Sequence, residues 1–258
     1  MPGPVYDPLD ALCYNSQASN EQVVRGCSAV IEQARRTAPQ EIANAHYLRG
    51  LRLNRMGQYD KALQDFDQAI KLAPNDAASF HLRGQAWWAK GNDDRALLDF
   101  DRSIALDPNQ FGPWADRAAI YVIRGERERA LKDYLQAVRL KPDDPVVLGN
   151  LCWGRLVNGQ PQAALADCDA SLKLQPNIAA VIRNRAFVNL KLGKFEAAFA
   201  DAEAALKLSP NDAWARYARG LARRKLGDQK GGDADLAASR KAVPLIEETL
   251  ARQGFVLN

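Results

Sequence analysis

The chain has 258 residues and a formal net charge of +4, with 47% hydrophobic and 26% charged residues. This composition supports a buried core and excludes a chain that is disordered throughout. The mean hydropathy is −0.36 and no apolar run approaches the roughly 18 residues of a membrane span, so we expect no membrane span; the small net charge gives no reason to expect a nucleic-acid partner.

The N-terminal residues, Met1 to Pro8, contain three prolines and one glycine. We expect residues 1–8 to form a disordered N-terminus. They show no basic, apolar and cleavable leader. Either the protein is cytoplasmic or the sequence starts after a removed signal peptide.

The rest of the chain repeats itself with a period of 34 residues. Prolines at 39 and 74 are 35 residues apart, and the later ones follow every 34 residues, at Pro108, Pro142, Pro176, Pro210 and Pro244. Glycines keep the same period at Gly57, Gly91, Gly125, Gly159, Gly193 and Gly227. Aspartates do so at Asp65, Asp99, Asp133, Asp167, Asp201 and Asp235. Each unit divides at its glycine into two stretches whose apolar residues recur at three- and four-residue steps, which predicts a helical hairpin per unit.

These columns resemble the tetratricopeptide repeat, as residues 44–74 show through Gly50, Gly57, Tyr59, Ala62, Phe66, Ala69 and Pro74. The resemblance covers roughly residues 43–244 and holds six times in phase. It implies an all-α protein, an α-solenoid in which helix-turn-helix hairpins stack into a right-handed superhelix. The predicted domain is 9–244, with repeats at 43–76, 77–110, 111–144, 145–178, 179–212 and 213–244.

The two ends of the array differ from its body. Residues 9–39 are predicted to form a degenerate N-terminal hairpin. After the last repeat, residues 245–258 are predicted to form a helix that covers the last repeat as a cap. One helical face of this segment collects the apolar residues Leu245, Ile246, Leu250 and Phe255.

The four cysteines lie in two hairpins, Cys13 and Cys27 in the N-terminal one and Cys152 and Cys168 in the fourth repeat. Cys27 precedes its proline by 12 residues, as Ala62 does, which places it in the close-contact column. Each pair could form a disulfide between the two helices of one hairpin, because small residues let those helices approach closely. Four buried free thiols are the alternative. No metal-binding spacing is present, and we expect neither a metal nor another cofactor.

The N-terminal stretch also resembles a group of bacterial exported tetratricopeptide proteins. Their mature chains open with a Cys…Cys hairpin, followed by a repeat with an Asn-Arg-Gly type motif. The corresponding residues here are Leu12–Cys13, Arg25–Gly26–Cys27–Ser28 and Leu48–Arg49–Gly50. This resemblance implies a periplasmic or secreted protein whose signal peptide is absent from the sequence, and a cytoplasmic location is the alternative.

A second charged column accompanies the aspartates, with arginine at Arg49, Arg83, Arg117, Arg185 and Arg219. We interpret the two columns as a ladder of ion pairs between helices, since the planar guanidinium suits partly buried pairs. An arginine stripe for an anionic ligand is the alternative. In the fourth repeat Leu151 replaces the arginine, and Arg155, one turn further along, is predicted to compensate.

The binding surface follows from the family resemblance, which implies that the first helices line a concave groove. Asp116, Asn150 and Asn184 share one column, and an asparagine can bind both the C=O and the N–H of a peptide unit. Aromatic side chains flank them and could bury an anchor residue. The alternative is that the aromatics pack between repeats and the asparagines are solvated. The candidate groove residues are Trp88, Asp116, Asn150, Trp153, Arg183, Asn184, Phe187, Lys191, Tyr217 and Arg224.

No catalytic motif accompanies these features, so we expect no enzymatic activity. The predicted function is a protein-protein interaction scaffold that binds an extended peptide or protein partner in the groove. We expect an acidic segment of that partner to lie over Arg183, Lys191 and Arg224. The alternative is an accessory or carrier subunit that binds a small anionic or hydrophobic ligand.

Overall fold

A computed structural model describes residues 8–33 and 37–255, and within them it contains fifteen α-helices and no strand. The prediction of an all-α fold built from helical hairpins is confirmed. The predicted disorder of residues 1–8 lies outside the described residues except at Pro8, which begins the first helix. The helices are α1 Pro8–Cys13, α2 Asn20–Glu32, α3 Pro39–Arg55, α4 Tyr59–Leu72, α5 Ala77–Ala89, α6 Asp93–Leu106, α7 Phe111–Arg124, α8 Arg127–Leu140, α9 Pro145–Val157, α10 Pro161–Leu174, α11 Ala179–Lys191, α12 Phe195–Leu208, α13 Ala213–Lys225, α14 Gln229–Ala242 and α15 Ile246–Gln253.

The chain divides into two compact units, Met1–Pro113 and Trp114–Asn258. In the first unit, the pairs α1–α2, α3–α4 and α5–α6 pack as hairpins. In the second unit, the pairs α9–α10, α11–α12 and α13–α14 do the same, and the first helices α9, α11 and α13 also contact each other in order. The single continuous array over 9–244 remains a prediction.

The turns inside the hairpins depend on the glycine column. All six of these glycines have a left-handed backbone, with φ between 72° and 95°, a conformation in which a Cβ is strained. At the start of the next helix, the carboxylates of Asp76, Asp144 and Asp212 accept backbone hydrogen bonds and act as N-caps. Glycines thus end the first helices, and aspartates begin several of the next ones.

Small residues in the first helices are required by close contact with the second helices. A Cβ placed on Gly84 would lie 2.6 Å from Cε1 of Phe100, and one on Gly50 would lie 2.8 Å from the same atom of Phe66. Both phenylalanines are completely buried. Gly50 and Gly84 thus let an aromatic ring fill the interior of these two hairpins.

Both predicted cysteine pairs form disulfides, Cys13–Cys27 with a Cα–Cα distance of 4.5 Å and Cys152–Cys168 with 5.3 Å. The predicted column of Cys27 was wrong. The buried positions of α2, at Val23, Gly26, Cys27 and Val30, have the spacing of Ala62, Asp65, Phe66 and Ala69 in α4. Cys27 therefore corresponds to Phe66 and not to Ala62. The error arose because Pro39 is the first residue of α3, whereas Pro74 lies in the turn after α4.

Candidate functional site

The predicted ion-pair ladder is present inside the hairpins. In each pair, Nε and Nη2 of the arginine donate to the two carboxylate oxygens over 2.7–3.0 Å, a bidentate arrangement. These arginines are thus held by aspartates, which supports the structural interpretation over an anion-binding stripe. The pairs are Arg49–Asp65, Arg83–Asp99, Arg117–Asp133, Arg185–Asp201 and Arg219–Asp235.

The remaining guanidinium nitrogen, Nη1, connects one hairpin to the preceding one. Nη1 of Arg83 donates to Asp67 over 2.7 Å. The same contact joins Arg185 to Asp169 over 2.8 Å and Arg219 to Glu203 over 3.4 Å. In each case the acidic residue precedes the arginine by 16 positions. We call these contacts the inter-hairpin bridges.

The fourth repeat departs from this pattern. Leu151 is buried where the other repeats have arginine, and Arg155 approaches Asp167 instead, as predicted. A single nitrogen, Nη1, lies 3.0 Å from one carboxylate oxygen and 2.9 Å from the other. Burial, only partly offset by Arg155, raises the pKa of Asp167 to about 6.

Asp65 lies in the same column, but its pKa is shifted in the opposite direction. Burial acts to raise the pKa of Asp65, but hydrogen bonds from His46 and Arg49 and their charges together lower it below its ordinary value. His46 Nδ1 lies 2.8 Å from one oxygen of this carboxylate. At Asp65 the two cationic partners outweigh burial, whereas at Asp167 the single contact with Arg155 does not.

Part of the predicted groove forms one small cavity of about 210 Å³ in the second unit. Five of the candidate residues line it: Asn150, Trp153, Arg183, Asn184 and Phe187. Tyr134, Trp214 and Gln253 complete the wall. Two asparagines and two aromatic residues of the candidate set thus line one cavity, and Gln253 joins them from the C-terminal segment, which the sequence analysis placed over the last repeat.

The two asparagines of this cavity are used differently. Asn184 is buried, its Nδ2 donates to the carbonyl of Gly149 over 3.4 Å, and its Oδ1 accepts from Arg183 over 3.3 Å. Asn150 is half-buried on the cavity wall. Arg183 also donates to Asp212 over 3.2 Å. A peptide could form hydrogen bonds with Asn150 directly. Asn184 would first have to break its hydrogen bonds with Gly149 and Arg183.

The other candidate residues lie apart from this cavity. Trp88 is half-buried on α5 of the first unit. Asp116 lies on α7 and, with burial as the larger cause, its charge raises the pKa of the buried Tyr134. Lys191 is the last residue of α11. Arg224 approaches Asp233 and Gln229 of its own hairpin.

The C-terminal segment covers the aromatic part of the predicted groove. Phe255 packs against Phe187 with ring centroids 5.1 Å apart, and Phe187 packs against Trp153 at 5.6 Å, both edge to face. Phe187 is thereby completely buried. At the other end of the segment, Glu247 accepts from Tyr217 over 3.4 Å, and burial together with this carboxylate raises the pKa of Tyr217 to about 12.

The predicted capping helix therefore reaches further than the last repeat. Ile246, Leu250 and Phe255 are buried as expected, but Leu245 is 55% exposed. Gly254 has a left-handed backbone, and a Cβ on it would lie 2.7 Å from the carbonyl oxygen of Val157 in α9. The helix ends there, and Phe255 enters the aromatic cluster, where its ring is buried.

Three family models described as tetratricopeptide repeat match residues 47–111, 113–144 and 155–219, which together are more than half of the chain. The chain is a tetratricopeptide repeat protein. Among the described residues, no group of three or more histidines, cysteines, aspartates or glutamates is arranged to hold a metal ion. No described helix combines the length and apolarity that crossing a membrane requires.

Solved structures confirm the tetratricopeptide fold at low sequence identity. The APC/C hetero-tetramer Cut9-Hcn1 matches with a TM-score of 0.74 and 17% identity over 95% of this chain, and this chain spans only 50% of its length. Pseudomonas aeruginosa pilF matches at 0.67 and 17%, over 84% of this chain and 99% of its own. YrrB, described as a tetratricopeptide protein with an unusual peptide-binding site, matches at 0.52 and 18%, over 74% and 98%. No curated protein matches the chain significantly.

Proposed function

We propose that this tetratricopeptide protein is a non-catalytic scaffold that binds an extended segment of a protein partner on the surface formed by Asn150, Trp153, Arg183, Phe187 and Tyr217, here called the first-helix surface. The observation that carries this proposal is the seating of the chain's own C-terminal segment on that surface. A surface that holds one peptide segment through an aromatic anchor offers the same contacts to another.

The contacts of Phe255 indicate what the partner presents. Its ring completes an edge-to-face series with Phe187 and Trp153, and such pairs favour aromatic side chains beyond their apolar area. Asn150 lines the adjacent cavity and can bind the backbone next to the anchor. We therefore propose a partner segment with an aromatic residue, and an acidic stretch that lies towards Arg183 and Lys191.

The C-terminal segment must leave before a partner can occupy the aromatic cluster. Partner affinity is reduced by the fraction of molecules in which the segment is seated. Weakening the segment should therefore strengthen binding, whereas weakening the first-helix surface should abolish it.

Export to the periplasm or secretion forms the second part of the proposal. Two disulfides within hairpins support it, because structural disulfides persist in oxidising compartments. The N-terminal Cys…Cys hairpin supports the same location through its resemblance to exported relatives.

A peptide with the sequence of residues 245–258, carrying a fluorophore, is the probe for the first-helix surface. We expect the full-length Phe255→Ala variant to bind this peptide about tenfold more tightly than wild type, since the variant's own segment loses an aromatic anchor. Leu245→Ala is the matched control, because Leu245 is exposed and its loss should leave affinity unchanged. Fluorescence anisotropy measures all three proteins.

The partner itself is sought by pull-down from periplasmic extract with mass spectrometry. Phe255→Ala should recover more of the specific partner than wild type, and Asn150→Ala combined with Trp153→Ala should recover none. Equal recovery by the three proteins would remove the proposed site. Equal peptide affinity of Phe255→Ala and wild type would contradict the proposal that the C-terminal segment competes with the partner.

A further inference from the structure

A cavity of about 700 Å³ lies in the first unit between α2 and α4, with α3 as its floor. Its apolar wall is formed by Val24, Leu53 and Met56. The volume falls within the range of about 300–1,000 Å³ that is usual for small-molecule sites. The cavity shares no residue with the first-helix surface.

The cavity coincides with a gap in the inter-hairpin bridges. Because Cys27 corresponds to Phe66, the next residue, Ser28, corresponds to Asp67. Nη1 of Arg49 donates to the Ser28 hydroxyl over 2.8 Å, in the place where Nη1 of Arg83 donates to the carboxylate of Asp67. The arginine has been kept here, but its acidic partner on the preceding hairpin has not.

The fourth repeat shows that the arginine and the acid are normally present or absent together. Leu151 replaces the arginine, and the residue 16 positions earlier is Leu135 instead of an acid. Arg49 differs because it retains the cation beside a neutral hydroxyl. A carboxylate supplied from outside would restore the charge-assisted contact that Asp67, Asp169 and Glu203 make elsewhere.

The charges around the cavity favour an incoming anion. Arg25, Arg49 and Lys61 line it, against Glu21 and Asp65. The carboxylate of Asp65 is already bound by both Arg49 and His46. Because Asp65 and Arg49 offset each other, the lining keeps an excess of one positive charge, and Nη1 of Arg49 is the guanidinium nitrogen that Asp65 does not bind.

We propose that this cavity binds a small amphiphilic carboxylic acid. The carboxylate accepts a hydrogen bond from Nη1 of Arg49, which now donates to the Ser28 oxygen, while the Ser28 hydroxyl keeps donating to the carbonyl of Val24. The apolar body packs against Val24, Leu53 and Met56. The proposal is independent of the first-helix surface, and it gives the protein a second site with a different class of ligand.

Methionine NMR tests the proposal directly, because Met56 is the only methionine besides Met1. The full chain, labelled with ¹³C at methionine methyl groups, is titrated with octanoate and with octanamide. Octanoate should shift the Met56 resonance in a saturable way, and octanamide should bind about tenfold more weakly because it lacks the charge.

Two substitutions of Ser28 distinguish the effect of a side-chain charge from the effect of side-chain size. Ser28→Asp supplies the missing carboxylate from within the protein and should lower octanoate affinity about tenfold or more. Ser28→Asn, similar in size but neutral, should retain binding. Circular dichroism checks that both variants remain helical.

Several outcomes would overturn the assignment. They are an unmoved Met56 resonance with octanoate, equal binding of octanamide, or undiminished binding in Ser28→Asp. Tighter binding of the peptide acetyl-Leu-Glu-Leu-amide than of octanoate would also overturn it, because the site would then take an acidic side chain of a protein.

Discussion

Asp167 and Asp65 occupy the same column of the repeat, yet they should affect stability with opposite pH dependence. The pKa of Asp167 is raised to about 6 from its ordinary 3.8, whereas that of Asp65 is lowered. A carboxyl group with a raised pKa in the folded state stabilises the fold below its unfolded pKa, and this contribution is lost as pH rises through the folded pKa. For Asp167 the loss falls between about pH 4 and pH 6.

The magnitude follows from the pKa of Asp167. Each pKa unit corresponds to about 1.4 kcal/mol, so ionising this group costs the folded state at most about 3 kcal/mol. Asp167 is 12% exposed and Arg155 is 26% exposed, and solvent screening reduces the value to about 1–2 kcal/mol. Relative to wild type, Asp167→Asn should therefore gain about 1–2 kcal/mol in unfolding free energy between pH 4 and pH 7.

Asp65→Asn is the matched variant with the reverse sign. A lowered pKa means that Asp65 stabilises the fold above its unfolded pKa and that this contribution disappears as pH falls through the folded pKa. Asp65→Asn should thus be most destabilising at neutral pH, where Arg49 and His46 lose a charged partner.

Urea unfolding followed by circular dichroism from pH 2 to pH 7 measures both differences, because the contribution of Asp65 is lost only below its ordinary pKa of 3.8. ¹³C NMR of the aspartate carboxyl carbons gives the midpoint for Asp167 directly. Two results would refute this reasoning: a midpoint at or below pH 4, or parallel stability profiles for Asp167→Asn and wild type. Either would mean that a contact with one nitrogen of Arg155 is enough to stabilise the ionised form of Asp167.

Further predictions concern the disulfides and the small residues of the first helices. Replacing Cys152 and Cys168 with alanine should lower the unfolding free energy by about 3 kcal/mol, since the bond closes a short loop; an unchanged urea midpoint would contradict this. Mass spectrometry of the non-reduced protein should show Cys13–Cys27 and Cys152–Cys168, and four alkylatable thiols would remove both the bonds and the support for export. Gly84→Ala should destabilise by about 1–3 kcal/mol, because its Cβ would meet Phe100, and a neutral effect in thermal melting would show that the ring can move aside.

The repeating features of the structure were predictable because the residues that form them recur several times in the sequence. The glycine column fixed the turns, and the arginine and aspartate columns fixed the ion pairs. Asn150, Trp153, Asn184 and Phe187 converge on one cavity because first helices of successive repeats contact each other. Period and helical geometry together determine such neighbours.

Features that occur once were harder to predict. Pro39 shares the spacing of the other prolines but begins a helix, so the register of the first hairpin was misread at Cys27 and the importance of Ser28 was missed. The position of Phe255 depends on the chain turning at Gly254, and the 34-residue period contains no signal for that turn. An aromatic residue just after the glycine at a helix end was the available clue, since such an end redirects the chain.

The inter-hairpin bridges also affect how the protein unfolds. In repeat arrays, cooperativity depends on the coupling between neighbouring units, and a charged bridge is replaced by a hydroxyl contact at Ser28 and by two leucines at Leu135 and Leu151. Each of these two junctions borders a hairpin with its own disulfide, α1–α2 in one case and α9–α10 in the other. A detached hairpin of this kind keeps its two helices covalently joined, so it can re-dock without reforming from an open chain. Reduction of the disulfides removes that covalent link from both hairpins.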